Sequence, residues 1–306
     1  MTIEPLSLVS VVVPTVDRPQ LLERAVRSIV GQDYPGPIEC LVVFDGTEPR
    51  RPRVELPSNR TVRTLVNTRS KGLPGNRNTG YLAAAGAYIA GCDDDDEWRP
   101  TKISAQLRRL ADRPDAVLCT TGIAIVGRDR TFERRASATD VTFEDLLRHR
   151  MVEVCPSASL FRRSIIDSGI LVDEEIPGGY AEDYEWMLRV VRAGPIVCVP
   201  DALTLIHWHD ASHFVGDWAT VEAALSYLLT AVPEYQDHGA GLARLEGQLA
   251  LAKAGLGNRR GAVRLAARSL RRYPLIRQSY AALLVATGLV SADQVARLAR
   301  RFGKGT

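Results

Sequence analysis

The feature that most constrains this chain is a run of five carboxylates, Asp93-Asp94-Asp95-Asp96-Glu97. It follows directly on the apolar stretch Ala87-Tyr88-Ile89-Ala90-Gly91-Cys92 and is closed by Trp98. Neighbouring like charges repel, so at least one of these groups is pushed toward protonation unless cations sit among them. The preceding residues have the pattern of a buried strand, which places the acids at its carboxyl end, where open α/β sheets bind ligands. A solvated acidic turn is the plain alternative for a short charge run. The apolar flanks on both sides favour a metal and phosphate site instead.

A chain of 306 residues can bury a full core and divides into one large domain and a smaller one. Its 45% apolar and 25% charged content is that of a soluble globular protein. The five cysteines (Cys40, Cys92, Cys119, Cys155, Cys198) form no C-x-x-C pair and sit in apolar contexts, which predicts small buried hydrophobes in a reducing compartment. Residues 1–8 carry Glu4 and Pro5 without a basic-then-apolar pattern, so no signal peptide is expected. No apolar run has the length to span a bilayer. The net charge of +3 conceals an asymmetry: residues 241–306 hold thirteen Lys or Arg against Glu246 and Asp293, a balance of +11, leaving −8 for the first 240.

Val9-Ser10-Val11-Val12-Val13-Pro14 reads as a buried strand. A loop follows, then a helix over 19–31 with Pro19 in its first turn, and a strand over 40–44 ending at Asp45-Gly46. That order is a right-handed βαβ unit. After a Pro- and Arg-rich loop over 47–59 comes a strand at 61–66. Next is Asn67-Thr68-Arg69-Ser70-Lys71-Gly72-Leu73-Pro74-Gly75-Asn76-Arg77-Asn78-Thr79-Gly80, which opens a helix over 76–85. Such a segment offers backbone N–H groups and cations to phosphate oxygens. It carries no G-K-[ST], and no G-x-G-x-x-G follows the first strand, which excludes the P-loop and dinucleotide sites. Further strands are expected at 117–121, 123–126, 157–161, 196–200 and 203–207, an unpatterned loop at 128–139, and a helix over 181–193 beginning Glu182-Asp183-Tyr184-Glu185-Trp186. Beyond about Asp217 the chain turns to helices rich in Ala, Leu and Arg (242–256, 259–273, 275–287 and 291–302), read as two antiparallel hairpins broken by Pro274 and Gly288.

Taken in order, these segments resemble the family 2 inverting glycosyltransferases with the glycosyltransferase A fold, over about residues 7–213. The resemblance is carried by Val11-Val12-Val13-Pro14-Thr15, Val42-Val43-Phe44-Asp45-Gly46, Gly75-Asn76-Arg77-Asn78-Thr79-Gly80, Asp93 to Pro100, Glu182 to Trp186, and His209 with Ser212. It implies an α/β fold: a single Rossmann-like nucleotide-sugar-binding domain with a mostly parallel central sheet over 1–216, plus an α-helical C-terminal region over 217–306. It also implies that Thr15 and Asp45, with their neighbours Pro14 and Arg18, hold the base and ribose, and that Arg77 approaches base and diphosphate. Asp95 is then the principal metal ligand, and Asp93 lies nearer the ribose or the metal's waters, with Asp94 and Asp96 in support. Asp183 is the catalytic base, and His209 a third metal ligand. Alternation along a strand would put His207 and His209 on one face, so the choice between them stays open. Two departures stand out. Phe44-Asp45 replaces the family's paired acids, and Gly169-Ile170-Leu171-Val172-Asp173-Glu174 loosens its G-x-F-D-E segment.

The expected reaction is transfer from a nucleoside-diphosphate sugar, a UDP-sugar favoured, to the hydroxyl of a glycan, lipid-linked glycan or small molecule. A magnesium or manganese ion would steady the leaving diphosphate, and one carboxylate would take the acceptor proton. The alternatives are a sugar nucleotidyltransferase, which would need a Gly-rich, Lys-containing loop where Thr15-Val16-Asp17-Arg18-Pro19 stands, and a non-catalytic nucleotide-sugar-binding module. Arg260, Arg264, Arg268 and Arg271 form one face of a helix, which suggests peripheral contact with the inner face of a membrane by an otherwise cytoplasmic protein; a solvated face is the competing reading. No nucleic-acid partner is expected.

Overall fold

The computed structural model describes residues 6–127, 130–137, 140–207 and 216–301. The chain forms two compact units. One draws on Met1–Thr142, Glu153–Glu174 and Glu182–Trp208, and the other on Phe143–Val152, Glu175–Ala181 and His209–Thr306.

In chain order the first unit contains β1 (Val9–Thr15), α1 (Pro19–Val30), β2 (Ile38–Phe44), β3 (Arg60–Val66), α2 (Leu73–Ala83), β4 (Tyr88–Gly91), β5 (Glu97–Trp98), α3 (Lys102–Ala111), β6 (Leu118–Val126) and β7 (Thr131–Arg134). After α4 (Phe143–Arg148), which belongs to the second unit, come β8 (Leu160–Arg162), α5 (Ser164–Asp167), α6 (Glu182–Ala193) and β9 (Ile196–His207). Among the described residues these strands make a nine-stranded sheet in the order β3-β2-β1-β4-β8-β6-β9-β5, with β7 paired to β6. The half built from β3, β2, β1 and β4 is parallel, as expected of βαβ units. In the other half β8 runs antiparallel between β4 and β6, and β6 and β9 are parallel.

Every residue of β1 is buried because both faces of the strand are covered. Val11 and Val13 pack with Leu22, Ala25, Val26 and Ile29, the apolar face of α1. Val12 points the other way, against Gly80 of α2, where a Cβ would run into its methyl groups. The glycine therefore lets α2 lie close on the strand and delivers the start of that helix to the carboxyl end of β1.

Several elements differ from the sequence expectation. The segments 117–121 and 123–126 are one strand, β6, and 196–200 and 203–207 are one strand, β9. Gly122 and Pro200 punctuate the pattern, but a register irregularity around Gly122 absorbs the interruption. A Cβ on Gly122 would press on the carbonyls of Arg134, Pro200 and Asp201. Within 128–139, Thr131–Arg134 is a strand: it returns on β6 as an antiparallel partner, with three of its four side chains exposed, which is why no apolar alternation marked it. Residues 156–158 form a short 3-10 turn ahead of β8. Four of the five thiols are buried and Cys155 is partly so; burial pushes the Cys40 thiol up to about 12.

The second unit contains α4 and five longer helices, α7 (Trp218–Ala231), α8 (Gly239–Gly255), α9 (Arg259–Arg272), α10 (Arg277–Ala286) and α11 (Ala292–Arg301). Side chains start them in sequence-legible ways. Asp217, His238 and Asn258 accept from the N–H three residues on, and Ser291 with Gln294 forms a reciprocal capping box. The expected helices pack around one shared core, in which Ala250, Ala254, Ala262, Ala266, Ala282, Val285 and Ala292 meet. Small side chains permit this close packing, and no described helix is long and apolar enough to cross a membrane.

Gly80→Ala should destabilise the first unit by about 1–3 kcal/mol through overpacking, and Val12→Ala in the same chain should recover part of the loss. Urea unfolding of the single and double variants checks this; equal midpoints for Gly80→Ala and wild type would contradict the packing described.

Candidate active site

Beyond β4 the acidic run folds as a tight turn, with the Asp96 N–H donating to the Asp93 carbonyl at 3.1 Å. This turn sorts the acids. Asp94 and Asp96 are buried, whereas Asp93, Asp95 and Glu97 reach the surface in part. Cations do sit among them, as the charge argument requires. Arg18 bridges the run, its Nη2 on Asp94 Oδ1, its Nε on Asp94 Oδ2 at 3.1 Å and its Nη1 on Asp95 Oδ2 at 2.8 Å. Arg24, from α1, donates to the Asp95 carbonyl at 2.7 Å and pairs with Glu97 at 3.1 Å. The sequence reading missed Arg24, because a helical arginine carries no motif of its own.

The buried acids remain perturbed. Burial raises Asp94 to about 6, against the lowering effect of the Thr15 hydroxyl, which donates at 2.6 Å, and of Arg18. Asp96 is pushed well above the carboxylate range by burial and by the charges of Asp93 and Asp95, opposed by hydrogen bonds from Ser157 and the His207 N–H. Asp94 thus spends both oxygens on Thr15 and Arg18. It positions Arg18 and the Thr15 side chain from inside the fold. Pro14 is buried in β1 beneath them.

Ser157 was not anticipated either, and it holds the turn from below. Its Oγ accepts the Asp93 N–H at 3.0 Å, and its carbonyl accepts Trp98 Nε1 at 2.8 Å. Lys102 lies 3.9 Å from the Trp98 ring centroid, a cation–π contact in which burial lowers its ammonium to about 7. At the end of β9, His207 Nε2 lies 2.7 Å from Glu97 Oε1. The expected third ligand His209, with Ser212, lies outside the described residues.

Arg77 links the two halves of the site. Its side chain is 4% exposed; Nη2 donates to Asp93 Oδ1 at 2.7 Å and Nη1 meets Glu182 Oε1. Burial acts to lower its pKa, but Glu182 and Asp93 outweigh burial and hold it firmly charged. Burial raises Glu182 to about 8, with Arg77 pulling it down and Asp183 and Asp93 pushing it up. Asp183 is the next residue, partly exposed in the first turn of α6, and is itself among the charges felt by Arg77. Ala181, just before, has φ 61°, a left-handed backbone that alanine rarely takes. Trp186 is 1% exposed and packs with Tyr81 and Phe161, centroids 5.8 and 5.1 Å away. It is core that seats α6, leaving the presentation of acid to the first turn.

The loop before α2 corrects one expectation. Its N–H groups are not held open for phosphate: Gly72 donates to Asp45 Oδ2 at 2.7 Å and Ser70 to Glu174 Oε2 at 3.1 Å. Asp45 also accepts Asn67 Nδ2 at 2.9 Å, so both its oxygens brace this loop. Buried donors need partners, and acids from the ends of β2 and from residue 174 supply them. Glu174 further accepts Asn78 Nδ2 at 2.7 Å and the Arg69 guanidinium, while Asn78 exchanges hydrogen bonds with the Val172 backbone at 2.8 and 2.9 Å. The departure from the family's usual acidic segment thus retains a carboxylate with a structural task.

Among the described residues no three His, Cys, Asp or Glu side chains converge as a ready metal cage. Asp95 and Asp93 each bind an arginine through one oxygen and are partly exposed, with side-chain exposures of 22% and 33%. Two hard, accessible carboxylates fit a divalent ion that completes its shell with water and phosphate oxygens.

The sequence profile of glycosyl transferase family 2 matches residues 10–169. A UDP-Glc:alpha-D-GlcNAc-diphosphoundecaprenol beta-1,3-glucosyltransferase, WfgD of Escherichia coli, is 22% identical over 63% of this chain and 73% of its own length. The matches span 37% to 73% of the length of the first curated relatives. Two solved structures share the fold. S. aureus TarS 1-349 in complex with UDP-GlcNAc aligns at TM-score 0.60 and 19% identity, covering 97% of this chain and 92% of that one. The mannosyltransferase PcManGT from Pyrobaculum calidifontis, in complex with GDP-Man and Mn2+, aligns at 0.55 and 16%, covering 98% and 81%.

Glu174 is held at about 2 because the hydrogen bonds from Asn78, Arg69 and Ser70 overcome its burial. A depressed carboxyl stabilises the fold above its unfolded pKa, and the effect is lost as pH falls through the folded value. Glu174→Gln should therefore be less stable than wild type by about 1–3 kcal/mol at neutral pH. The gap should close as pH falls from ~4 toward ~2. Chemical denaturation across that range checks this, and a gap independent of pH would contradict it.

Proposed function

Because this chain belongs to glycosyl transferase family 2, we propose that it moves a sugar from a nucleoside-diphosphate donor, a UDP-sugar favoured, to a hydroxyl of a lipid-linked glycan, inverting the anomeric centre. The observation that carries this reading is the double contact of Arg77. One buried guanidinium ties Asp93, at the end of β4, to Glu182, at the start of α6, and Asp183, the residue after Glu182, is among the charges that guanidinium feels.

Each residue then has a task. Arg18 and Arg77 present fixed positive charge toward the donor's diphosphate, and Thr15 and Asp45 shape the nucleoside end, Asp45 through the loop it braces. Asp95 and Asp93 would hold a divalent cation. Such an ion, manganese or magnesium, supplies charge neutralisation to the departing diphosphate. The PcManGT complex supports a nucleotide sugar with a divalent ion in this fold. His207 is engaged by Glu97 within the described residues, which leaves the third-ligand role to His209 in this reading.

Asp183 takes the proton of the attacking acceptor hydroxyl. With Glu182 committed to Arg77, Asp183 serves as the single base in this reading, which invokes no covalent glycosyl intermediate. Direct displacement at the anomeric carbon inverts its configuration. The bond from that carbon to the diphosphate breaks as the acceptor oxygen bonds, and the transition state has oxocarbenium character. The lipid-linked acceptor is supported by WfgD, which is named for an undecaprenol-diphosphate-linked sugar, and cell-surface glycan synthesis is the corresponding setting.

Asp183→Asn should leave nucleoside-diphosphate binding within about threefold of wild type and cut transfer by roughly 100-fold or more, whereas Asp95→Asn should weaken the metal-dependent part of binding. The check is calorimetry, paired with product formation across a panel of nucleotide sugars with manganese. Full transfer by Asp183→Asn, or loss of its nucleotide binding, would reassign that residue to structure.

A further inference from the structure

The cation-rich part of the second unit has no task in the chemistry above. From 247 to 292 the sequence holds eight Lys or Arg and no Asp or Glu. The arginine face expected on α9 is divided by the fold. Arg268 Nε lies 2.6 Å from one oxygen of Glu246 and Arg272 Nε 3.4 Å from the other, and that carboxylate is 1% exposed. These two guanidiniums are therefore drawn onto a buried charge. Arg271 and Arg277 have no acidic partner among the described residues, and they flank the turn from α9 to α10.

That turn is also where apolar surface lies open. Leu275 is 74% exposed, Tyr280 54% and Tyr273 42%, and Leu284 follows Tyr280 one helical turn on, at 45%. The Tyr280 hydroxyl donates to the Pro274 carbonyl at 2.9 Å, which keeps its ring beside the turn. Arg277, Tyr280 and Leu284 are spaced three and four residues apart and so share one face of α10.

We propose that this turn and the exposed face of α10 dock on an anionic phospholipid bilayer. Leu275 and the two tyrosine rings enter the headgroup zone, and Arg271 and Arg277 meet lipid phosphates. Tyrosine suits that boundary because its ring is apolar and its hydroxyl polar. An anionic leaflet complements a segment, 247–292, that carries cations and no acids, and each basic residue near it adds attraction. A second copy of the chain fits poorly, since a two-fold contact would set the same cations against each other with no acid to offset them. The proposal deepens the lipid-linked acceptor reading and rests on it for its purpose: it would hold the enzyme where such an acceptor resides.

The test is co-sedimentation of the full chain with vesicles of phosphatidylglycerol and phosphatidylcholine, against phosphatidylcholine alone, at low and high salt. Binding should require phosphatidylglycerol and fade with salt. It should weaken about tenfold or more in Arg271→Glu/Arg277→Glu and in Leu275→Ser, while Arg108→Glu on α3 behaves as wild type. Leu275 is largely exposed, so its replacement leaves folding intact. Nucleotide binding, measured on the same samples, should be unchanged in all of these variants. Absence of vesicle binding at low salt, indifference to the turn variants, or equal or tighter binding to duplex DNA or RNA would overturn the membrane proposal and leave the transferase reading standing. Loss of nucleotide binding by the wild type would do the reverse.

Discussion

The site depends on one buried cation. A guanidinium taken out of water is tolerated when carboxylates surround it, and Arg77 has Asp93 and Glu182 in contact and Asp183 nearby. Without these acids the charge would stand uncompensated in a low-dielectric interior, a defect worth about 3–5 kcal/mol. The arginine therefore ties two separate pieces of chain, the end of β4 and the start of α6, more firmly than either could be held by its own backbone. Gly80, one turn further along α2, lets that helix lie close on Val12 of β1.

Around this cation the acids divide by depth. Asp94 and Asp96 turn inward, raised by burial, and are held by Thr15, Arg18, Ser157 and the His207 backbone. Asp93 and Asp95 stay at the surface, each with one oxygen on an arginine. The run that looks uniform in sequence is thus two inward supports and two outward donors. In the proposed reaction a divalent ion would meet the outward pair, on a turn fixed by Arg18, Arg77 and Ser157. Such preorganisation is what electrostatic stabilisation of a leaving group requires.

The parallel half of the sheet was legible because β1 and β2 are apolar runs rich in β-branched residues and α1 between them is amphipathic. The acidic turn was legible because an apolar strand runs straight into it; Arg77 and Asp183 were named from the family resemblance, and the structure brings Arg77 onto Asp93 with Asp183 nearby. What escaped the sequence was of another kind. Ser157, Arg24 and the pairing of Glu182 with Arg77 depend on partners far along the chain, and no local pattern encodes a contact between residues 59 to 105 positions apart. The strand Thr131–Arg134 escaped because it is polar and exposed, and β6 and β9 were cut in two because Gly122 and Pro200 mimic ends that a bulge removes. The loop before α2 was misread for a different reason. Glycine and N–H richness says that donors exist, but not that Asp45 and Glu174 have already taken them.

The account's central claim is that Arg77 holds the donor-side and acceptor-side acids in one arrangement that binds a nucleoside diphosphate with a divalent ion. Titration calorimetry of UDP and GDP with and without manganese, on wild type and on Arg77→Lys, tests it most directly. Lysine keeps the charge but loses the planar fork that reaches two acids at once. The account predicts metal-dependent binding by wild type and affinity about tenfold or more weaker in a folded Arg77→Lys protein. Equal affinity in the two proteins, or no binding of either nucleotide by wild type with manganese present, would contradict it.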